Sequence, residues 1–220
     1  MNQIYFFLLC HKTLKKYHIV KKVKKSKIHF YTFAKNRSSM IKIGITGHVN
    51  LKAECIPYYR DALLRMIKEL KDKYTKVVLY SALADGADRL IVEVAMKLDI
   101  EYIAVLPMPK VDYCTDFTEA SSIQFEYLLE NALSVIEIPL LSLRANKRDL
   151  QYEASGIFIS DKCDILIALW DGNYTNLKGG TSEIVKYHLS KKYYNLSHLL
   201  VSRESDLTNN MIEFKHYEKR

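Results

Sequence analysis

The sequence predicts an α/β fold, a doubly wound and mostly parallel sheet with helices on both faces, and three observations carry that prediction. Apolar runs of strand length alternate with segments of helical period from Met40 to Ser202, and strands separated by helices pair in parallel through right-handed crossovers. Small and polar residues gather just after the strands, at Thr46-Gly47-His48, Ser81, Pro107 and Asp171-Gly172, whereas the connections into the strands are charged and large, as in Lys71-Asp72-Lys73, Asp99-Ile100-Glu101 and Asp161-Lys162. Last, the apolar run Ile165 to Trp170 ends in a polar loop, and Gly179-Gly180 then opens a helical pattern at Thr181. Strand, glycine turn and helix N-terminus in that order make a ligand loop on an open sheet, because the helix start presents free backbone N–H groups beyond the strand ends.

Taken in order, Ile41 to Thr46 reads as a first strand, followed by a helix with Ala62, Leu63, Met66, Ile67 and Leu70 on one face. Val77 to Tyr80 is a second strand, and Leu90, Ile91, Val94, Ala95 and Leu98 form the stripe of a second helix. Tyr102 to Leu106 is a third strand, stopped by Pro107-Met108-Pro109 because proline cannot donate to a ladder. Lys110 to Thr118 reads as a loop, and Ile123 to Leu133 has helical spacing. Ser134 to Ile138 is a fourth strand, about Leu150 to Asp161 a helix, Ile165 to Trp170 a fifth strand, Thr181 to Lys191 a helix and Leu199 to Ser202 a last strand. The stretch 203–220 is expected to be a weakly ordered tail.

The chain has 220 residues and a net charge of +8, but the charge is not spread along it. Residues 1–39 hold ten Lys and Arg and no Asp or Glu, which leaves 23 basic against 25 acidic residues from Met40 onward. The basic balance therefore describes an N-terminal extension, not a binding surface. The short apolar stretch Ile4 to Cys10 precedes the lysines, the reverse of a secretory signal. The extension is expected to be disordered or to lie upstream of a true start at Met40, with the domain running over 40–202. Cys10, Cys55, Cys114 and Cys163 form no C-x-x-C pair, which suits free thiols in a cytoplasmic protein. No run reaches the length of a membrane span.

Beyond the strand ends, Gly44-Ile45-Thr46-Gly47-His48, Ser81-Ala82-Leu83-Ala84-Asp85-Gly86-Ala87-Asp88 and Gly179-Gly180-Thr181-Ser182-Glu183 resemble the SLOG superfamily. This is a Rossmann-like group that includes the LOG phosphoribohydrolases, the DprA fold and the sensing domain of TRPM channels. The resemblance covers Met40 to Ser202. It implies a pocket for a nucleotide-derived small molecule, formed by Thr46, Gly47, His48, Ser81, Asp85, Gly86, Asp88, Asp171, Gly172, Gly179, Gly180, Thr181 and Glu183. Two departures from the family pattern stand out: Val49 occupies a position that is often basic, and Gly180 meets Thr181 without a third glycine.

Several of these residues have two readings. Glu183, in the first turn of its helix, can bind ribose hydroxyls or stabilise charge at an anomeric carbon, or it can simply complement the helix dipole with Thr181 as cap. Asp88 is expected to shape its loop and Ser81 to donate to the ligand. His48 is expected to be a hydrogen-bonding loop residue, Trp170 and Cys163 to be core, and Arg89 or Lys178 to be the cation nearest a phosphate. Tyr152 and Glu153 cannot be oriented from sequence. There is no Walker lysine motif, serine elbow or H-E-x-x-H, so neither metal nor cofactor is expected. The expected function is binding or sensing of a nucleotide-derived ligand. An N-glycosidic phosphoribohydrolase with Glu183 as catalytic residue is the first alternative, and a nucleic-acid-binding accessory protein the second. Nucleic acid is the less expected partner, membrane association is not expected, and a homo-oligomer is possible.

Overall fold

The computed structural model describes residues 38–140, 148–206 and 214–220, so the expectations for the basic extension before residue 38 lie outside the described residues. The elements are β1 (Ser38–Gly47), α1 (Ile56–Lys73), β2 (Tyr74–Ser81), α2 (Ala87–Lys97), β3 (Glu101–Leu106), the single turn α3 (Lys110–Tyr113), α4 (Glu119–Glu130), β4 (Ser134–Glu137), α5 (Arg148–Lys162), β5 (Ile165–Trp170), α6 (Thr181–Ser190), β6 (Tyr194–Leu200) and β7 (Phe214–Lys219). They build one seven-stranded sheet in the order β4-β3-β2-β1-β5-β6-β7. Every pairing is parallel except that of β6 with β7. The protein is therefore α/β with a Rossmann-like, doubly wound sheet.

Alternation along the strands divides the core. Ile41, Ile43 and Ile45 of β1, Val77 and Leu79 of β2 and Ile165, Ile167 and Leu169 of β5 pack with the apolar faces of α1, α2 and α4. Leu166, Ala168 and Trp170 of β5 and Val105 of β3 point the other way, onto Ile159 of α5 and Ile184 and Val185 of α6. A parallel sheet covered on both faces needs strands apolar on both sides, and all six residues of β5 are buried. Helix ends follow local chemistry. Pro57 stands in the first turn of α1, where its missing N–H has no partner to lose. Thr118 caps α4 by accepting the Ser121 N–H at 3.3 Å.

Several boundaries differ from the sequence expectation: β1 begins at Ser38 and β2 at Tyr74, each three residues before the expected strand. The Thr118 cap starts α4 at Glu119, ahead of Ile123, and α3 occupies part of the expected loop Lys110 to Thr118. The last parallel strand spans Tyr194–Leu200 and so begins before Leu199. The expected weakly ordered tail supplies β7, whose ladder runs from Tyr194↔Lys219 to Leu199↔Phe214. Only Phe214 of β7 packs against the core, and the rest of the strand is exposed. An edge strand held by its backbone ladder with one apolar anchor leaves little pattern in the sequence.

The turn into α2 is fixed by Gly86, whose φ is +74° and whose Cβ position would lie 2.4 Å from the Val49 carbonyl oxygen and 2.5 Å from that of His48. A left-handed residue pressed against two backbone carbonyls leaves no room for adjustment. Gly86→Ala is expected to cost about 2–4 kcal/mol, read as a lowered urea midpoint with unchanged slope.

Candidate functional site

Strand order reverses at β1, which pairs with β2 on one side and β5 on the other. At such a switch point the two connections leave in opposite directions and open a crevice beyond the carboxyl ends of the strands. A cavity of about 360 Å³ occupies it. Thr46 and Gly47 from the end of β1 line it together with Asp85 and Asp88 from the β2–α2 loop. Pro107, Tyr113, Asp116 and Phe117 follow from the β3 side, Tyr152, Ser155 and Gly156 from α5, and Gly179, Thr181 and Ile184 from the α6 side.

The β2–α2 loop is held from within. Leu83 is buried with a φ of 57°, a left-handed conformation that a non-glycine residue keeps only when its surroundings over-determine it. They do so here: the Leu83 N–H donates to Ser81 Oγ at 3.1 Å, and the Leu83 carbonyl accepts Arg89 Nε at 3.0 Å. Asp88 completes the loop, accepting the Ala82 N–H at 2.8 Å and the Ser81 hydroxyl at 3.1 Å. Burial raises the Asp88 carboxyl to about 6, outweighing the hydrogen bonds from Ser81 and Ala82 that favour its charge. Ser81, expected to donate to a ligand, is fully buried and its hydroxyl is already given to Asp88.

Arg89 is held through Nε and Nη1, while its buried Nη2 has no hydrogen-bond partner among the described residues. Its side chain is 3% exposed, and Nη1 lies 2.7 Å from Asp85 Oδ1, 2.8 Å from the Ser121 carbonyl and 2.9 Å from Ser121 Oγ. Across the cavity, the Tyr152 hydroxyl donates to Asp116, and Arg148 reaches the other Asp116 oxygen at 2.6 Å. Burial and the neighbouring Asp116 push the Tyr152 phenol up to about 12. Tyr152, Asp116, Tyr113 and Phe117 are wall residues that sequence reasoning did not place. Tyr152 was visible but unoriented, and the others sit in the β3–α4 connection without any periodic signal.

The glycine loop works differently from the expectation. Gly179 has a φ of +70°, and a Cβ there would lie 2.6 Å from the Asp149 carbonyl oxygen and 2.8 Å from Tyr152 Cβ. Its glycine thus allows close approach to α5. The Gly179 N–H donates to the Glu183 carboxylate at 2.6 Å, so Glu183 clasps the loop, and it faces an outer groove with Lys178 instead of the cavity. His48 accepts the Asp171 N–H at 3.2 Å through Nε2, which also lies 3.1 Å from Asp171 Oδ1. One nitrogen cannot both accept the first and donate to the second. Burial lowers the His48 pKa, which favours the neutral ring accepting from the backbone.

Of the expected site, the structure brings Thr46, Gly47, Asp85, Asp88, Gly179 and Thr181 together on one cavity. His48, Ser81, Gly86, Asp171, Gly172, Gly180 and Glu183 do not line it. The described residues include no group of His, Cys, Asp or Glu arranged to hold a metal, and no helix among them is long and apolar enough to cross a membrane.

A scan against family models finds no match, and a search of curated proteins finds none either. Among solved structures, DNA processing protein A from Streptococcus pneumoniae superposes with a TM-score of 0.50 at 17% identity, over 74% of this chain and 51% of that one. The chain thus spans about half the length of that protein, and at this identity the likeness is one of fold. The corresponding protein from Helicobacter pylori, described for its single-stranded DNA binding mode, gives a TM-score of 0.47 at 17% identity over 76% of this chain and 67% of that one.

Asp88 gives a test of the loop. A carboxyl raised from 3.8 to about 6 contributes stability that is complete below its unfolded value and is lost as the pH rises through about 6. Asp88→Asn keeps an acceptor for Ala82 without the titration. The stability of the variant minus that of the wild type is expected to grow by up to roughly 3 kcal/mol between about pH 4 and pH 7, measured by urea unfolding of both proteins across that range.

Proposed function

We propose that this chain is a SLOG-type domain that binds a nucleotide-derived small molecule and acts as a ligand sensor or accessory component in the cytoplasm. The observation that carries the proposal is the cavity of about 360 Å³ at the β1 switch point, within the size range of small-molecule sites and placed where open α/β sheets hold ligands. Its walls suit such a ligand. Tyr152, Phe117 and Ile184 offer apolar surface to a ring, while Thr46, Asp85 and Thr181 offer polar groups. Among the described residues the Thr181 and Ser182 amides at the start of α6 have no hydrogen-bond partner, so they can receive an oxygen of the ligand.

The N-glycosidic hydrolase alternative draws less support, because Glu183 is engaged by Gly179 and lies outside the cavity wall. Nucleic-acid binding is a second reading, favoured by the fold likeness to a DNA processing protein and by the basic residues before Met40.

Calorimetric titration and thermal shift with nucleosides, nucleotides, NAD and ADP-ribose test the proposal. A binding member at 100 times its dissociation constant stabilises by about 2.7 kcal/mol, and no response from any member refutes the pocket. Tyr152→Ala is expected to weaken the binding member about three- to tenfold through loss of ring contact. A chain starting at Met40 is expected to show no salt-dependent binding of single-stranded DNA; retained binding favours the second reading.

A further inference from the structure

We propose that the groove on the outer side of the β5–α6 loop docks an acidic peptide segment of a partner protein, anchored by an aromatic or aliphatic side chain. The groove, of about 680 Å³, lies between that loop and the outer flank of α6, and Tyr174, Leu177, Lys178, Glu183, Lys186 and Leu189 line it. It is separate from the cavity. Gly179, Thr181 and Ile184 face the cavity, whereas their neighbours Lys178, Ser182 and Glu183 face the groove. One loop and the helix start that follows it thus wall both spaces.

Apolar display and charge together define the partner. Tyr174 and Leu177 are 63% and 70% exposed, on a loop that is tied down from within. The Tyr174 ring meets Trp170 edge-on with centroids 4.9 Å apart, the Thr175 N–H donates to Ser182 Oγ at 3.1 Å, and the Leu177 carbonyl accepts the Gly180 N–H at 3.2 Å. Apolar side chains held out in water by such a loop are preorganised anchors for another chain. Lys178 and Lys186 are exposed, and among the described residues neither enters an ion pair. The sequence of 1–37 and of 141–147 contains no carboxylate side chain to pair with them. The carboxylate that lines the groove, Glu183, is engaged by the Gly179 N–H. Two unpaired ammonium groups beside apolar anchors complement a segment of opposite charge. Leu177 and Leu189 offer aliphatic surface to a peptide side chain, while Glu183 opposes a continuous phosphate backbone, so a peptide fits the groove better than a nucleic acid.

The test selects a displayed library of random peptides of about twelve residues on the full chain, with counter-selection on a double variant carrying Leu177→Asp and Lys186→Glu. The selected sequences are expected to be rich in aspartate and glutamate around an aromatic or aliphatic residue. The tightest of them, synthesised and titrated, is expected to lose about tenfold in affinity with Leu177→Asp and about fivefold with Lys186→Glu, and to bind more weakly as salt rises. Both positions are exposed, so each variant is expected to melt with the wild type; should either melt early, Leu177→Ser and Lys186→Gln take their place. Selection of no peptide, selection without acidic enrichment, or binding that the substitutions leave unchanged overturns the inference. Binding of oligothymidylate that the same two substitutions abolish also overturns it and assigns the groove to nucleic acid.

Discussion

The site depends on one buried guanidinium. Arg89 is only 2% exposed, and a charge removed from water persists only when its donors are met by acceptors. Its Nε and Nη1 meet Leu83, Ser121, Gln124 and Asp85, its face lies 4.6 Å from the Phe117 ring centroid, and Nη2 alone of its nitrogens is buried without a hydrogen-bond partner among the described residues. These partners come from the β2–α2 loop, the start of α4 and the connection that leads to it, so a single side chain joins three segments distant in sequence. A lysine would not serve, because the planar fork satisfies several acceptors at fixed angles while its face packs on an aromatic ring. Burial draws the Arg89 pKa down, and Asp85 opposes that shift.

The consequences run outward from that pairing. Holding the Leu83 carbonyl stabilises the left-handed turn, and that turn lets Ser81 accept the Leu83 N–H while giving its proton to Asp88. Holding Asp85 by one oxygen leaves the other for the cavity. Placing Phe117 under the guanidinium brings Phe117 to the wall opposite α6, and Tyr113 meets it edge-on with ring centroids 4.9 Å apart. The groups that make this loop's conformation possible thus also line the cavity and set its shape.

This coupling also explains how much was legible in the sequence. Apolar runs of strand length in β1, β2, β3 and β5 and period-3.6 stripes in α1 and α2 report burial directly, so the sheet and its two covered faces could be read from the chain. The position of the cavity could be read as well, since small and polar residues gather at one set of strand ends. Side-chain direction at those ends left no such trace. Ser81 and Glu183 stand where ligand residues would stand, yet their hydrogen bonds turn to Asp88 and Gly179. Asp116 and Tyr152 are 36 residues apart in sequence, and only the packing of α5 beside the β3–α4 connection makes them neighbours. Nothing in spacing encodes such a meeting.

Glu183 illustrates what this does to a chemical assignment. A carboxylate in the first turn of a helix after a glycine pair suits catalysis at an anomeric carbon, provided that it faces the reacting atoms. Here it is bound to the Gly179 amide, and Gly179 in turn is pressed against Asp149 and Tyr152 of α5. The clasp holds the entry to α6 in place and leaves the Thr181 and Ser182 amides directed by the helix start. A loop organised in this way leaves backbone donors free at the helix start and keeps its own carboxylate outside the cavity, so it supports the proposed reading of recognition over one of catalysis.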